Sequence, residues 1–250
     1  MTNLIPDYNL WIVALSYAVS VLGASVSLNI ADYVTDQRGG LRIGWIAMAA
    51  VVFGGCGVWA THFTGMLAYQ PGPPITYDLN LTLISLILPM VLAFMGFYVV
   101  FRWARSTVAW LTSGIIVGLG VGVMHYSGMM AMRMSHVMFH VEWIVGVSVA
   151  IAIVAATVAL YIFVHVHGRL RQLAPLIMGL AVCGMHYTGM AAMRIGSPLE
   201  GSVDYFTGAW GTSMMAFAAG TAVLTTLIVG AAMVFSQRLA EMDDATEQRT

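Results

Sequence analysis

Lysine is absent from this 250-residue chain, and all ten basic residues are arginines. Charged side chains make up only 8% of the sequence, with a net charge of −1. No basic run is present, which argues against a nucleic-acid partner. Only two cysteines occur, Cys56 and Cys183, and both lie inside apolar stretches. An exported disulfide framework is therefore not expected, and each reads as a small buried side chain. No phosphate-binding glycine loop, kinase signature or other soluble catalytic pattern is found. The nine residues before the first apolar stretch hold no Lys or Arg, so no secretory signal peptide is expected.

What is present is apolar: 60% of the residues are hydrophobic. Stretches of about 20 apolar residues mark membrane spans, and seven are legible, at 10–31, 43–69, 80–101, 109–132, 143–164, 173–193 and 210–235. The expected fold is an all-α membrane protein of seven transmembrane helices embedded in the lipid bilayer. Arg38, Arg42, Arg102, Arg105, Arg169, Arg171, Arg238 and Arg249 fall on one side, and only Arg133 and Arg194 on the other. Positive charge stays inside, so the N-terminus is expected outside and the C-terminus in the cytoplasm.

Met-His-Tyr-Ser/Thr-Gly-Met occurs at 124–129 and 185–190, and Thr-His-Phe-Thr-Gly-Met at 61–66. The histidines are 63 and 61 residues apart, a period that indicates a triplicated unit. Spans one to six divide into three helical hairpins, each ending in a motif, and span seven closes the set. Residues 1–236 are expected to form the seven-helix domain. Residues 237–250, with Glu241, Asp243, Asp244 and Glu247, are expected to be a short cytoplasmic tail or linker start. Gly114, Gly118 and Gly122 form a smooth stripe on span four for a close helix crossing. It serves the monomer core or an oligomer equally well.

An ionisable group inside a membrane is costly and marks function. His62, His125 and His186 each have a methionine four residues later (Met66, Met129, Met190), on the same helical face. Imidazole is the commonest biological metal ligand, and thioethers favour Cu(I). The expected site is therefore copper held by these six residues in the outer half of the bilayer, with zinc the alternative. Met124, Met185, Tyr126, Tyr187, Met132, Met193 and Cys183 are expected as a supporting or accessory set. Cys183 lies one turn before His186. Thr64, Ser127 and Thr188 are expected to bond the carbonyl of the preceding turn. His136, His140, His165 and His167 read as interface residues. His136 and His140, with Met134 and Met138, have a second reading as an outer vestibule for metal.

With these residues in view, the chain resembles the MHYT family of bacterial integral membrane sensor domains, over essentially its whole length. Met124-His125-Tyr126-Ser127 and Met185-His186-Tyr187-Thr188 carry the resemblance, Ser127 standing where the motif has Thr. The first copy departs at Thr61 and Phe63 and keeps His62. The resemblance implies a multi-pass protein of the bacterial inner membrane and a copper site sensing a diatomic gas (oxygen, carbon monoxide or nitric oxide). It also implies a cytoplasmic signalling output on another chain or missing segment. Two other functions stay open. Copper transport or handling is supported by the methionine-rich outer surface. An intramembrane zinc-dependent hydrolase would use three histidines and an open position. Against it, Asp78, Glu142, Glu200 and Asp204 all lie in loops or at their edges, so no span offers a carboxylate base.

Overall fold

A computed structural model describes residues 7–36, 39–71, 75–166, 168–198 and 209–247. Among them, seven helices are long and apolar enough to cross a membrane: α1 (Leu10–Ala31), α2 (Ile43–Ala68), α3 (Leu79–Arg102), α4 (Thr107–Ala131), α5 (Glu142–His165), α6 (Gly168–Ala192) and α7 (Thr212–Met233). These are the expected spans to within a few residues. Side-chain caps start several of them. Asn9 accepts from the Trp11 and Ile12 amides at α1, Asp78 from Leu81 at α3, and Ser106 from Ala109 at α4, satisfying donors that a helix start leaves free. The helical backbone of α7 continues to Glu247. Most of the polar segment expected as a tail therefore prolongs the last helix.

The even-numbered helices are the inner ones. Within the apolar part of each, 67%, 50% and 61% of residues are buried in α2, α4 and α6, against 39%, 33% and 28% in α1, α3 and α5. Each even helix packs between two odd neighbours, so α1 to α6 close into a ring, while α7 lies outside against α2 and α1. The glycine stripe of α4 is used within this ring. A Cβ at Gly114 would overlap Thr157, and one at Gly118 would meet the Ile153 backbone on α5 at 2.5 Å.

α2 is not regular throughout. Phe53–Ala60, with Gly54, Gly55 and Gly57, is wound as a π-helix, a form that concentrates at functional sites. Its glycines let neighbouring backbones touch: Gly54 abuts Met90 of α3, and Gly23 of α1 abuts Gly57. Within the π-helix the Gly57 carbonyl accepts from the Ser20 and Thr61 hydroxyls at 2.8 and 3.0 Å.

Among the described residues seven short strands, which the sequence reading did not anticipate, cover the motif end of the ring: β1 (Asp7–Tyr8), β2 (Tyr69–Gln70), β3 (Thr76–Asp78), β4 (Met132–Arg133), β5 (His136–His140), β6 (Met193–Pro198) and β7 (Ala209–Gly211). β1 pairs with β2, β3 with β4, and β5 with β6, all antiparallel. Each pair ties the entrance of an odd helix to the exit of the even helix that follows it. β7, leading into α7, joins the free side of β3. An ion pair between Arg133 and Asp78 at 2.6 Å reinforces β3–β4. At the opposite end, Arg171 of α6 reaches Asp32 at 2.6 Å and lies over the Phe163 ring.

Candidate metal centre

His62, His125 and His186 each stand six residues before the last residue of their inner helix, at Ala68, Ala131 and Ala192. At 1.5 Å per residue this places all three about 9 Å from the strand-covered end. The helix ends match too. The amides of Tyr69, Met132 and Met193, each in extended conformation, donate to the carbonyls of Met66, Met129 and Met190. The 63- and 61-residue spacing thus becomes equal depth.

The three rings converge on one point. Their Nδ1 atoms lie 3.0 Å (His62–His186), 3.2 Å (His62–His125) and 3.2 Å (His125–His186) apart. The ring planes are mutually near-perpendicular, at 84–89°, so the triad forms a three-bladed propeller. All three residues are essentially fully buried, and no carboxylate or thiolate joins the cluster among the described residues.

The rings are held in a cyclic order. His62 packs on Gly128 of the second motif, His125 on Gly189 of the third, and His186 on Gly65 of the first, so tightly that a Cβ at any of these glycines would overlap the Nε2 edge. The motif glycine is therefore the seat of the neighbouring histidine. A second cycle runs the same way. Tyr126 bonds Ser148 of α5 at 2.7 Å, and Tyr187 bonds Ser16 of α1 at 2.9 Å. Phe63 has no hydroxyl to offer, and Trp59 one turn earlier donates its indole N–H to Ser85 of α3 at 3.2 Å. Ser16, Ser85 and Ser148 are all completely buried. The sequence reading missed them, although their spacing of 69 and 63 residues on the odd helices was a readable signal.

The other expected residues fall around the triad. Met66, Met129 and Met190 are buried one turn nearer the strands, and Met124, Met185, Met132 and Met193 are buried as well. The Cys183 sulfur contacts the Ser16 hydroxyl at 3.8 Å and is not part of the histidine cluster. Thr64 and Ser127 donate to Ala60 and Met124 carbonyls, as expected. Asp78 and Glu142 stand at helix entrances. Glu200 and Asp204 lie outside the described residues, as does His167.

A metal ion fits this arrangement. Three Nδ1 atoms facing one another cannot all be satisfied by any distribution of protons. A triangle of nitrogens 3.0–3.2 Å apart has its centre about 1.8 Å from each. That is close to the about 2.0 Å of a metal–imidazole bond, so the three nitrogens would hold one cation between them. Three convergent lone pairs, costly without a ligand, become favourable around a cation.

Comparison with known proteins gives a consistent family. A family model named MHYT, described as a bacterial signalling protein N-terminal repeat, matches three times, over residues 55–113, 118–175 and 179–240. The chain is 35% identical to the bifunctional diguanylate cyclase/cyclic di-GMP phosphodiesterase MucR of Pseudomonas aeruginosa, over 99% of this chain and 36% of that protein. It is 32% identical to the cyclic di-GMP phosphodiesterase NbdA of the same organism, over 84% of this chain and 28% of the relative. It is 31% identical to the signaling protein YkoW of Bacillus subtilis, over 74% and 24%. The chain thus spans about a third or less of these curated relatives. No solved structure matches it.

Proposed function

The chain belongs to the MHYT family of bacterial signalling proteins, a multi-pass protein of the inner membrane, and on that premise we propose that it is a copper-based sensor of a diatomic gas. The observation that carries the proposal is the buried meeting of three Nδ1 atoms. His62, His125 and His186 would hold the ion, with the Met66, Met129 and Met190 thioethers one turn nearer the surface. Bound copper supplies an open position with affinity for oxygen, carbon monoxide or nitric oxide. An imidazole-and-thioether set without thiolate or carboxylate suits copper better than zinc.

The protein's own contribution is to couple the triad to helix packing. Each ring rests on a glycine of the next helical unit, so a ring cannot turn without moving its neighbour. Two arrangements of the ring would differ at the arginine-rich end, where Arg171 joins α6 to Asp32 after α1. A ligand that favours one arrangement biases the whole. With eight arginines at that end of the spans, positive-inside orientation puts it in the cytoplasm and the triad in the outer half. We assign the cyclase and phosphodiesterase activities named for the relatives to the parts of those proteins that this chain does not match.

Two competing functions are less well supported. Among the described residues the triad has no carboxylate neighbour to act as a base for hydrolysis. Transport would need ligands beyond the triad, and the inner cavity toward the opposite end is lined by Phe53, Phe97, Phe163 and Met178 with alanines. Carbon monoxide added to Cu(I)-loaded protein is expected to give a C–O stretching band that is lost in His125→Ala/His186→Ala. A copper-loaded wild type with no such band would refute gas binding.

A further inference from the structure

The motif aromatics are met edge-on by three side chains that stand at equivalent places. Tyr77 meets Phe63 at 5.4 Å between ring centroids, Tyr8 meets Tyr187 at 5.9 Å, and His140 meets Tyr126 at 5.8 Å, with interplanar angles of 79–80°. Each stands two residues before an odd helix, at Leu10, Leu79 and Glu142. Each also covers the aromatic of the preceding helical unit, in the same cyclic sense as the histidine–glycine contacts. Two of the three lids are phenols. The third is an imidazole.

His140 differs from the two tyrosines in more than its ring. Its Nε2 is buried and has no hydrogen-bond partner, whereas His136 on the same strand contacts the Ser135 hydroxyl at 3.3 Å. In the β5–β6 pair, His140 stands directly opposite Met193, and opposed residues in an antiparallel pair project to the same side. Met193 is buried and follows α6 directly. An imidazole nitrogen and a thioether sulfur thus share one face of the strand cover, above Tyr126 and one residue along the chain from His125. A neutral imidazole and a thioether together make a soft, low-coordinate donor pair.

We propose that His140 and Met193 form a docking point for Cu(I), or its analogue Ag(I), through which the metal reaches the His62–His125–His186 triad. This rests on the copper reading of the triad. The pair lies where the tyrosine pattern is broken, so metal is admitted on the side of the second motif. Tyr8 and Tyr77 close the other two sides, since neutral phenols bind soft cations poorly. Of the possible vestibule residues, His140 is the one that stands directly opposite the buried Met193.

The test uses apo full-length chain in detergent, offered Cu(I) from a colorimetric chelator, with transfer rate and final copper per chain both recorded. His140→Tyr installs the side chain that the other two lids carry, and Met193→Leu removes the sulfur at similar volume. Each is expected to slow transfer at least tenfold while final copper per chain and the thermal transition stay at wild-type values. Unchanged rates would overturn the docking role and leave the triad reading standing. A fall in final copper would make His140 a resident ligand, against the proposal. Failure of the wild type to take up copper would refute the triad reading, and the docking role with it.

Discussion

The imidazole of His62 lies against the Cα of Gly128 so closely that a methyl group there would come within 2.6 Å of Nε2. With Gly189 under His125 and Gly65 under His186, the contact makes each motif half of two sites. It holds its own histidine and seats the next one. Gly128→Ala is expected to push His62 out of the triad and weaken metal binding by about 10- to 100-fold, the usual cost of disturbing a ligand's support. Gly122→Ala, whose nearest neighbour is a Val149 methyl at 3.4 Å, is expected to leave binding unchanged. Equilibrium copper titration of the two variants checks this.

The tyrosine–serine contacts are expected to contribute to stability without controlling the metal. Phe63 takes the equivalent place in the first motif without a hydroxyl. Tyr126→Phe and Tyr187→Phe should each cost about 1 kcal/mol, one hydrogen bond, and leave copper stoichiometry at the wild-type value. Thermal unfolding beside metal analysis separates the two effects.

How much of this was legible in the sequence depends on the kind of relation. Spans were readable because about 20 apolar residues are needed to cross a bilayer, and the triad because its histidines repeat at near-constant spacing. Equal spacing gives equal depth, but it does not say which helix faces which. The partnership of Tyr187 with Ser16 spans 171 residues, and nothing local announces it. The strands were missed because runs of two to six residues, two of them beginning at Met132 and Met193, carry too little alternation to be seen. The π-helix hid in Phe53–Ala60, where three glycines fit packing as well as unusual winding. His140 read as an interface residue because its equivalence to Tyr8 and Tyr77 exists only in the folded ring.

The glycine stripe of α4 left two readings, core or oligomer, and the structure places it against α5. Gly118→Ala, which would bring a methyl to 2.5 Å from the Ile153 Cα, is expected to destabilise the chain by about 1–3 kcal/mol through overpacking. The oligomeric state should not change. Thermal melting and light scattering in detergent test both halves.

Asp78 holds the entrance of α3 and the β3–β4 pair together. The Leu81 amide first, then Arg133, holds its carboxyl below the usual carboxylate range. A depressed carboxylate stabilises the fold above its unfolded value of about 3.9, and that contribution is lost as pH falls through the lower folded value. Asp78→Ala is expected to cost about 1 kcal/mol at pH 7, mostly from the helix cap, because so exposed an ion pair adds little. The gap between wild type and variant in melting temperature should close as pH is lowered below about 4.

The most direct measurement of the central claim is elemental analysis of the detergent-purified chain, prepared without chelators, beside its His125→Ala/His186→Ala variant. One copper per chain in the wild type and none in a folded variant is the expected result. Zinc in place of copper would contradict the gas-sensor reading and favour hydrolysis. A wild type without metal would contradict the account, leaving the triad as a packing device.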